Sequence, residues 1–320
     1  MADRVSAAFP AIENGTVVTV GTFDGVHRGH YDLLSRVATR ARELSAPSMV
    51  VTFRPHPLDV VNPDAAPLLI SVGDEQLAAF ACTQVQYVSV LPFTQRLAAF
   101  TAEEFIERVL IERYNMRELF IGYDHGLGRG RQGDVDSLRA FGDRRGFPVD
   151  VVPAVVGDDG VPISSTAIRR AISYGELTRA SAALGRRYSF RGTVVAGNQR
   201  GRALGYPTLN IALPSSRKLL PPRGVYAVLA QTPVGTFGGM MNLGPRPTFN
   251  DETLSLEVHL FDVDGEWYGV DVEVEFVERL RDVVAFASPA ALVEQLGRDA
   301  QAARRALTEV QKPLSLKGSA

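Results

Sequence analysis

The chain keeps one pattern of apolar and polar positions up to about residue 184 and a different one beyond it. Thr16-Val17-Val18-Thr19-Val20 is a β-branched run that predicts a buried strand, and Tyr31, Leu33, Leu34, Val37 and Ala41 then recur at the spacing of one helix face. Further strands are predicted at Met49 to Phe53, Gln86 to Leu91, Glu118 to Ile121 and Val149 to Val152. Helices are predicted between and after them, at Ala102 to Tyr114, Asp136 to Arg145 and Ser165 to Tyr174. This alternation predicts an α/β, Rossmann-like domain with a doubly wound parallel sheet, whose ligands bind past the carboxyl ends of the strands. From Tyr188 the texture changes to short β-rich runs between glycines and prolines: Tyr188 to Val195, Gly224 to Gln231, Gly235 to Asn242, Thr253 to Phe261 and Val270 to Phe276. Five or six such strands predict a compact antiparallel barrel, covered by an amphipathic helix from about Pro289 to Val310 and followed by a loose ten-residue tail. The boundary is expected at Gly185-Arg186-Arg187, giving domains 1–185 and 186–320.

Composition narrows the class. With 320 residues, each of two domains is long enough to bury its own core. No apolar run approaches the length of a membrane span, and the amino terminus has neither a basic leader nor an apolar core before a cleavage site. A cytoplasmic protein without a membrane partner is expected. The single cysteine, Cys82, cannot pair within the chain, which fits a reducing compartment; it is expected to be a small buried apolar residue. A net charge of −2 argues against a nucleic-acid partner, although local arginines suit small phosphates.

Candidate chemistry then concentrates in a few strings. Residues 21–30, GTFDGVHRGH, end a strand, turn through glycine and enter a helix, with His27 in the turn and His30 near the helix start. Unpaired N–H groups at a helix N-terminus attract anions, and two imidazoles add donors for a triphosphate. Around Ser164-Ser165-Thr166, Ser164 or Ser165 is a natural N-cap, and the hydroxyls of Ser165 and Thr166 with Arg169 one turn later would form a second anion cradle. Two cradles without an obvious general base suit a reaction whose acceptor is itself a phosphate, which is nucleotidyl transfer. No GxxxxGK[ST] string occurs, and Gly126, Gly128 and Gly130 lack the context of a dinucleotide fingerprint. The rigid Phe53-Arg54-Pro55-His56-Pro57 segment follows a strand. The glycine-dense loop over 122–134 suggests either close approach to a ligand or a mobile surface.

In the second half, GNQRGRALGYPTLNI over 197–211 joins a glycine loop to Thr208 and Asn210, whose hydroxyl and amide carbonyl are hard oxygen donors for Mg²⁺; a hairpin turn with a rigid proline is the structural alternative. Leu254 to Leu260 alternates as a strand, with Leu256, Val258 and Leu260 on one face and Glu257 with His259 on the other. Glu257 is either a solvated carboxylate or a base for a hydroxyl.

In order along nearly the whole chain, GTFDGVHRGH, VTFRPHP, GYDHGLGRGRQGD, ISSTAIR, GRALGYPTLN, MNLGPRPTF, LEVHLFD and LRDVVAF resemble the bacterial bifunctional riboflavin kinase/FMN adenylyltransferase family, also called FAD synthetase. The resemblance implies an N-terminal nucleotidyltransferase domain that transfers AMP from ATP to FMN, and a C-terminal barrel that phosphorylates riboflavin with ATP and Mg²⁺. Riboflavin, FMN, FAD and ATP are then substrates and products. Carried over position by position, it implies that His27 and His30 act on the ATP phosphates with Gly21, Phe23, Ser165, Thr166 and Arg169. Pro55, Pro57 and Asp124 would lie at the FMN site. In the kinase half, Gly197, Gly201, Arg202, Thr208 and Asn210 would hold ATP, with Thr208 and Asn210 on the metal. Glu257 would be the base, and Asn242, Arg246 and Arg281 would meet the flavin. The match departs at His125, Gly126 and Leu127, where aromatics are frequent, and at Thr22. The altered 122–128 loop motivates the competing reading of a single-activity kinase with a lost or changed acceptor in its first domain; a flavin- or nucleotide-binding regulator without turnover is a third.

Overall fold

The computed structural model describes residues 15–197, 201, 204–245, 254–263 and 265–311. Backbone proximity divides the chain into two compact units, Met1–Ile70 with Gln76–Ala167, and Ser71–Glu75 with Ile168–Ala320.

The first unit is built on a five-stranded parallel sheet of β1 (Thr16–Val20), β2 (Ser48–Arg54), β3 (Tyr87–Pro92), β4 (Met116–Gly122) and β5 (Val149–Val152), in the order β3-β2-β1-β4-β5. Strand order reverses about β1, so the crevice between β1 and β4 is where a ligand is expected to sit. All five residues of β1 are buried, as a central strand covered on both faces requires. On one face Leu33, Leu34, Val37 and Ala41 of α1 (Arg28–Glu43) pack with Val17 and Val50. On the other, Phe105, Ile106, Val109 and Leu110 pack with Val18, Met49 and Leu119. Short helices α2 (Pro57–Val61), α3 (Asp74–Ala81) and α4 (Gln95–Ala98) connect the strands on the β2–β3 side.

The helix expected over Ala102 to Tyr114 is α-helical only in α5 (Ala102–Phe105) and widens into a π-type turn over Ile106–Ile111, with the Glu112 N–H reaching back to the Glu107 carbonyl at 2.9 Å. Phe105, Ile106, Val109 and Leu110 nonetheless keep the spacing of one helix face and stay buried. Cys82 is a second difference: it follows α3 outside the apolar face made by Ala79 and Phe80, and is exposed. Three helices complete the α/β part of the chain: α6 (Val135–Arg145), α7 (Ser165–Ser173) and α8 (Leu177–Leu184).

The second unit contains a closed barrel of β6 (Ser189–Val195), β7 (Leu209–Ala212), β8 (Gly224–Thr232), β9 (Gly235–Pro245), β10 (Leu254–Leu260) and β11 (Asp271–Arg281). Every pair is antiparallel, and the closed order β10-β7-β6-β11-β8-β9 leaves no free edge. Tyr188, Phe190, Tyr226 and Phe276 form an aromatic cluster in its core, with the Phe276 ring 5.2 Å from Tyr226 and 6.0 Å from Tyr188. The helix expected from Pro289 is α9 (Pro289–Gln311), whose Ala303, Ala306 and Leu307 pack on Ala227, Met240 and Phe261. Within this unit Lys218 is buried with its Nζ 2.7 Å from Glu75, which explains why Ser71–Glu75 groups with the barrel. The predicted tail lies outside the described residues.

Candidate functional site

The candidate residues gather around two features, the turn after β1 and the barrel. In the first, β1 delivers the chain into a turn in which Phe23 (φ 48°), Gly25 (φ 83°) and Val26 (φ 37°) all take the left-handed conformation. Glycine does so freely; for phenylalanine and valine the cost is about 1–3 kcal/mol each, so the surroundings must hold them there. Gln76, buried in α3, donates from Nε2 to the Thr22 carbonyl at 2.7 Å and to the Phe23 carbonyl at 3.4 Å. Asp24, also buried, accepts the Ile70 N–H at 3.0 Å, and Ser165 donates from Oγ to the Asp24 carbonyl at 2.8 Å.

That held turn fixes the two histidines. His27 is the N-cap of α1 and His30 its third residue, and each Nδ1 accepts the other's backbone N–H, at 3.3 and 3.4 Å. The rings stack with centroids 3.6 Å apart and planes 15° from parallel. A Cβ on Gly29 would come within 3.2 Å of the His27 ring, so the glycine makes room for the stack. Because both Nδ1 atoms are acceptors, the hydrogen of each neutral ring sits on Nε2, the outward donor. Burial, and then the neighbouring His27 imidazole, hold His30 well below the usual histidine range. The first turn of α1 carries no acidic residue to oppose an anion. Gly21 lies against the Phe23 ring, whose edge meets His30 at 5.0 Å.

Ser164, not Ser165, caps α7: its Oγ accepts the Ala167 N–H at 3.2 Å. This frees Ser165 to brace the histidine turn. Thr166 is exposed on the first turn of α7, and Arg169 follows one turn later. Pro55 and Pro57 follow β2, with His56 capping α2. Asp124 follows β4 across the switch point from His27, its carbonyl held by Arg131 at 2.9 Å. The loop around it is braced rather than loose: a Cβ on Gly128 would lie 2.3 Å from the Ala102 nitrogen, and one on Gly133 2.4 Å from the Ala102 Cβ. Its glycines answer to the backbone beneath them. In this loop burial, with Arg131 adding to it and Asp124 opposing, pushes His125 down to about 4.

In the barrel, backbone register places Asn210 of β7 opposite Glu257 of β10, and Glu257 opposite Asn242 of β9. Directly paired residues on adjacent strands share a face, so the three side chains form one row with neighbours about 5 Å apart. The Ser255 hydroxyl donates to Glu257 Oε1 at 3.0 Å. Leu256, Val258 and Leu260 are buried, while Glu257 and His259 are half-buried, as the alternation predicts. Thr208 and Asn210 lead into and form a strand that the apolar pattern alone does not predict. A Cβ on Gly197 would fall 2.0 Å from the Asn210 amide nitrogen, and one on Gly201 would fall 2.2 Å from the Tyr206 carbonyl and 3.4 Å from Thr208 Oγ1. Both glycines lie flat against this segment. Its hydroxyl and amide oxygens are the donor set Mg²⁺ accepts when phosphate and water supply the remaining ligands.

Arg281 occupies a different position from the row. Its Nε and Nη2 bind the buried Asp299 of α9, at 2.6–3.1 Å, and its Nη1 binds the Asp282 carbonyl at 2.8 Å. Arg202 and Arg246 lie outside the described residues. Sequence reasoning missed Asp24, Gln76 and Ser255 as supports. Ser255 was findable, because it shares the Glu257 face two positions away.

Comparison with known proteins matches two successive stretches of the chain. A family model described as FAD synthetase covers residues 9–167, and one described as riboflavin kinase covers 184–307. The bifunctional riboflavin kinase/FMN adenylyltransferase of Escherichia coli is 38% identical over 92% of this chain and 93% of its own length. The protein of the same name from Haemophilus influenzae is 37% identical over 91% and 94%. A crystal structure from Streptococcus pneumoniae, described as a macrolide-efflux protein, is 34% identical and superposes with a TM-score of 0.81 over 91% of this chain and 94% of its own. Among the described residues no helix is long and apolar enough to cross a membrane. With the paired-histidine turn in the first unit, the carboxylate row in the second and this identity along almost the full length, the chain belongs to the bacterial bifunctional riboflavin kinase/FMN adenylyltransferase family.

Proposed function

We propose that His27, His30 and Glu257 are the central residues of two successive transfers, in which the chain uses ATP first to phosphorylate riboflavin to FMN and then to adenylylate FMN to FAD. The two catalytic parts are residues 1–185 and 186–320. In the barrel, the 5′-hydroxyl oxygen of riboflavin bonds to the γ-phosphorus of ATP as the bond to ADP breaks, and the hydroxyl proton passes to Glu257. Ser255 orients that carboxylate. Thr208 and Asn210 would hold Mg²⁺ with the ATP phosphates, alongside the Gly197, Gly201 and Arg202 loop, and the ion would supply charge neutralisation at the transferring phosphate. Asn242, Arg246 and Arg281 serve the flavin end, Arg281 by fixing the start of the 282–288 segment.

In the first part, a phosphate oxygen of FMN bonds to the α-phosphorus of ATP as the bond to pyrophosphate breaks. No base is needed, since the acceptor is already anionic. The Nε2–H groups of His27 and His30 and the α1 N-terminus stabilise the phosphate oxygens, with Ser165, Thr166 and Arg169 on α7, Gly21 and Phe23 walling the turn, and Pro55, Pro57 and Asp124 toward FMN. The work is done in the cytoplasm. The observation that favours two activities over a lone kinase is the reciprocal His27–His30 cap, which holds two donor tautomers at a helix start free of acidic residues. The test is to incubate the purified chain with riboflavin, ATP, Mg²⁺ and inorganic pyrophosphatase and resolve the flavins by chromatography. FMN followed by FAD is expected; FMN without FAD would overturn the two-activity reading.

A further inference from the structure

His259 lies on β10 two residues beyond Glu257 and on the same face, yet it takes no part in the chemistry described above. Its Nδ1 is 2.8 Å from the carbonyl oxygen of Pro207. A carbonyl can only accept, so Nδ1 carries the hydrogen and the imidazole is the donor. The ring is locked edge-to-face against Tyr206 at 5.2 Å and Phe261 at 5.7 Å, which leaves it little freedom to follow a moving chain. On its other side the same segment is tied by the Tyr206 N–H to the Gly201 carbonyl at 2.8 Å. Pro207 immediately precedes Thr208. Holding its carbonyl therefore fixes the peptide from which the Thr208 hydroxyl projects.

We infer that His259 is a positioning residue for phosphoryl transfer, acting through the Pro207 carbonyl to set Thr208 for the nucleotide. It touches neither flavin nor phosphate. The inference rests on Thr208 and Asn210 holding Mg²⁺-ATP. Two substitutions separate the hydrogen bond from the ring. His259→Phe keeps an aromatic ring between Tyr206 and Phe261 and deletes the donor; His259→Asn deletes the ring and keeps an amide nitrogen close to the place of Nδ1.

Riboflavin phosphorylation is measured in the full chain at varied Mg²⁺-ATP, with FAD formation from supplied FMN as the internal control and Thr208→Ala alongside. A displacement of about 1 Å in a positioned group costs up to about a hundredfold, so His259→Phe is expected to lower kcat/KM for ATP by about ten- to a hundredfold, chiefly through KM. KM for riboflavin and FAD formation from FMN should keep their wild-type values, and His259→Asn should lie within about threefold of wild type, since the donor is the part that matters. Unchanged ATP kinetics in His259→Phe, or a loss in His259→Asn as large as in His259→Phe, would overturn the inference while a defective Thr208→Ala left the metal assignment standing. A fully active Thr208→Ala would overturn the metal assignment and this inference with it.

Discussion

The two proposed sites would meet the same reactant, a nucleoside triphosphate, with opposite means. The histidine turn of the first unit uses N–H groups throughout: a helix start and two imidazoles whose tautomers the backbone dictates. It places no carboxylate in the first turn of α1. The barrel site centres on a carboxylate, flanked across its sheet by two asparagines and braced by Ser255. The acceptors explain the difference. A phosphate acceptor brings its own charge and must be tolerated beside another anion, whereas a hydroxyl acceptor must lose a proton and needs a base. Support differs as well: the turn depends on contacts from residues 30 to 141 positions away, while the row follows from strand register alone.

The sharpest way to break this contrast is to remove the proposed base. Glu257→Ala should reduce riboflavin phosphorylation by about 10²–10⁴-fold, the usual worth of general-base catalysis, while FAD still forms from supplied FMN. His30→Ala should do the converse, cutting FAD formation by about 10²–10³-fold and sparing FMN formation, as loss of one charge-stabilising donor does. Loss of both activities from a folded variant of either kind would mean that the sites are not independent. Gln76→Leu tests the dependence of the turn on remote support. The Thr22 carbonyl then keeps only the Thr52 hydroxyl, at 3.2 Å; losing one hydrogen bond worth about 1 kcal/mol should lower FAD formation by up to about tenfold with kinase activity unchanged. An unchanged rate would show that the turn holds itself.

The smallest effect is on pH. The folded pKa of His30 is depressed, so between its ordinary value near 6.5 and that lower value only the unfolded chain gains the proton. Stability present above about pH 6.5 is therefore lost as pH falls through that range, and His125, at about 4, adds a loss of the same sign. The thermal midpoint followed from pH 8 to pH 5 should drop less in a His30→Asn variant than in wild type. An equal drop would show that His30 does not contribute.

β1 and β2 were legible as short, buried, β-branched runs, and β3, β4 and β5 as short apolar-rich runs between helical patterns. β7 was not: its four residues follow a proline, and their chemistry read more clearly than their conformation. The π-type turn at Ile106–Ile111 has no sequence signal, since the same apolar spacing suits an ordinary helix. The placement of the histidines at a helix start and of Glu257 on a half-buried strand face was legible because local spacing fixes it. Gln76 was not, because a glutamine on an amphipathic helix looks the same whether it faces water or a carbonyl 54 positions back.

The glycines packed on Ala102 carry a consequence for encounter. A segment as rich in glycine as 122–134 would ordinarily sample many shapes, and a ligand that selected one would oppose about 1–2 kcal/mol of backbone entropy for each residue it ordered. Here Gly128 and Gly133 lie so close to the helix start that the loop is ordered before any ligand arrives. If the proposed FMN site is right, a flavin phosphate at the end of β4 would meet a preorganised wall, and its affinity would not be reduced by having to fold one.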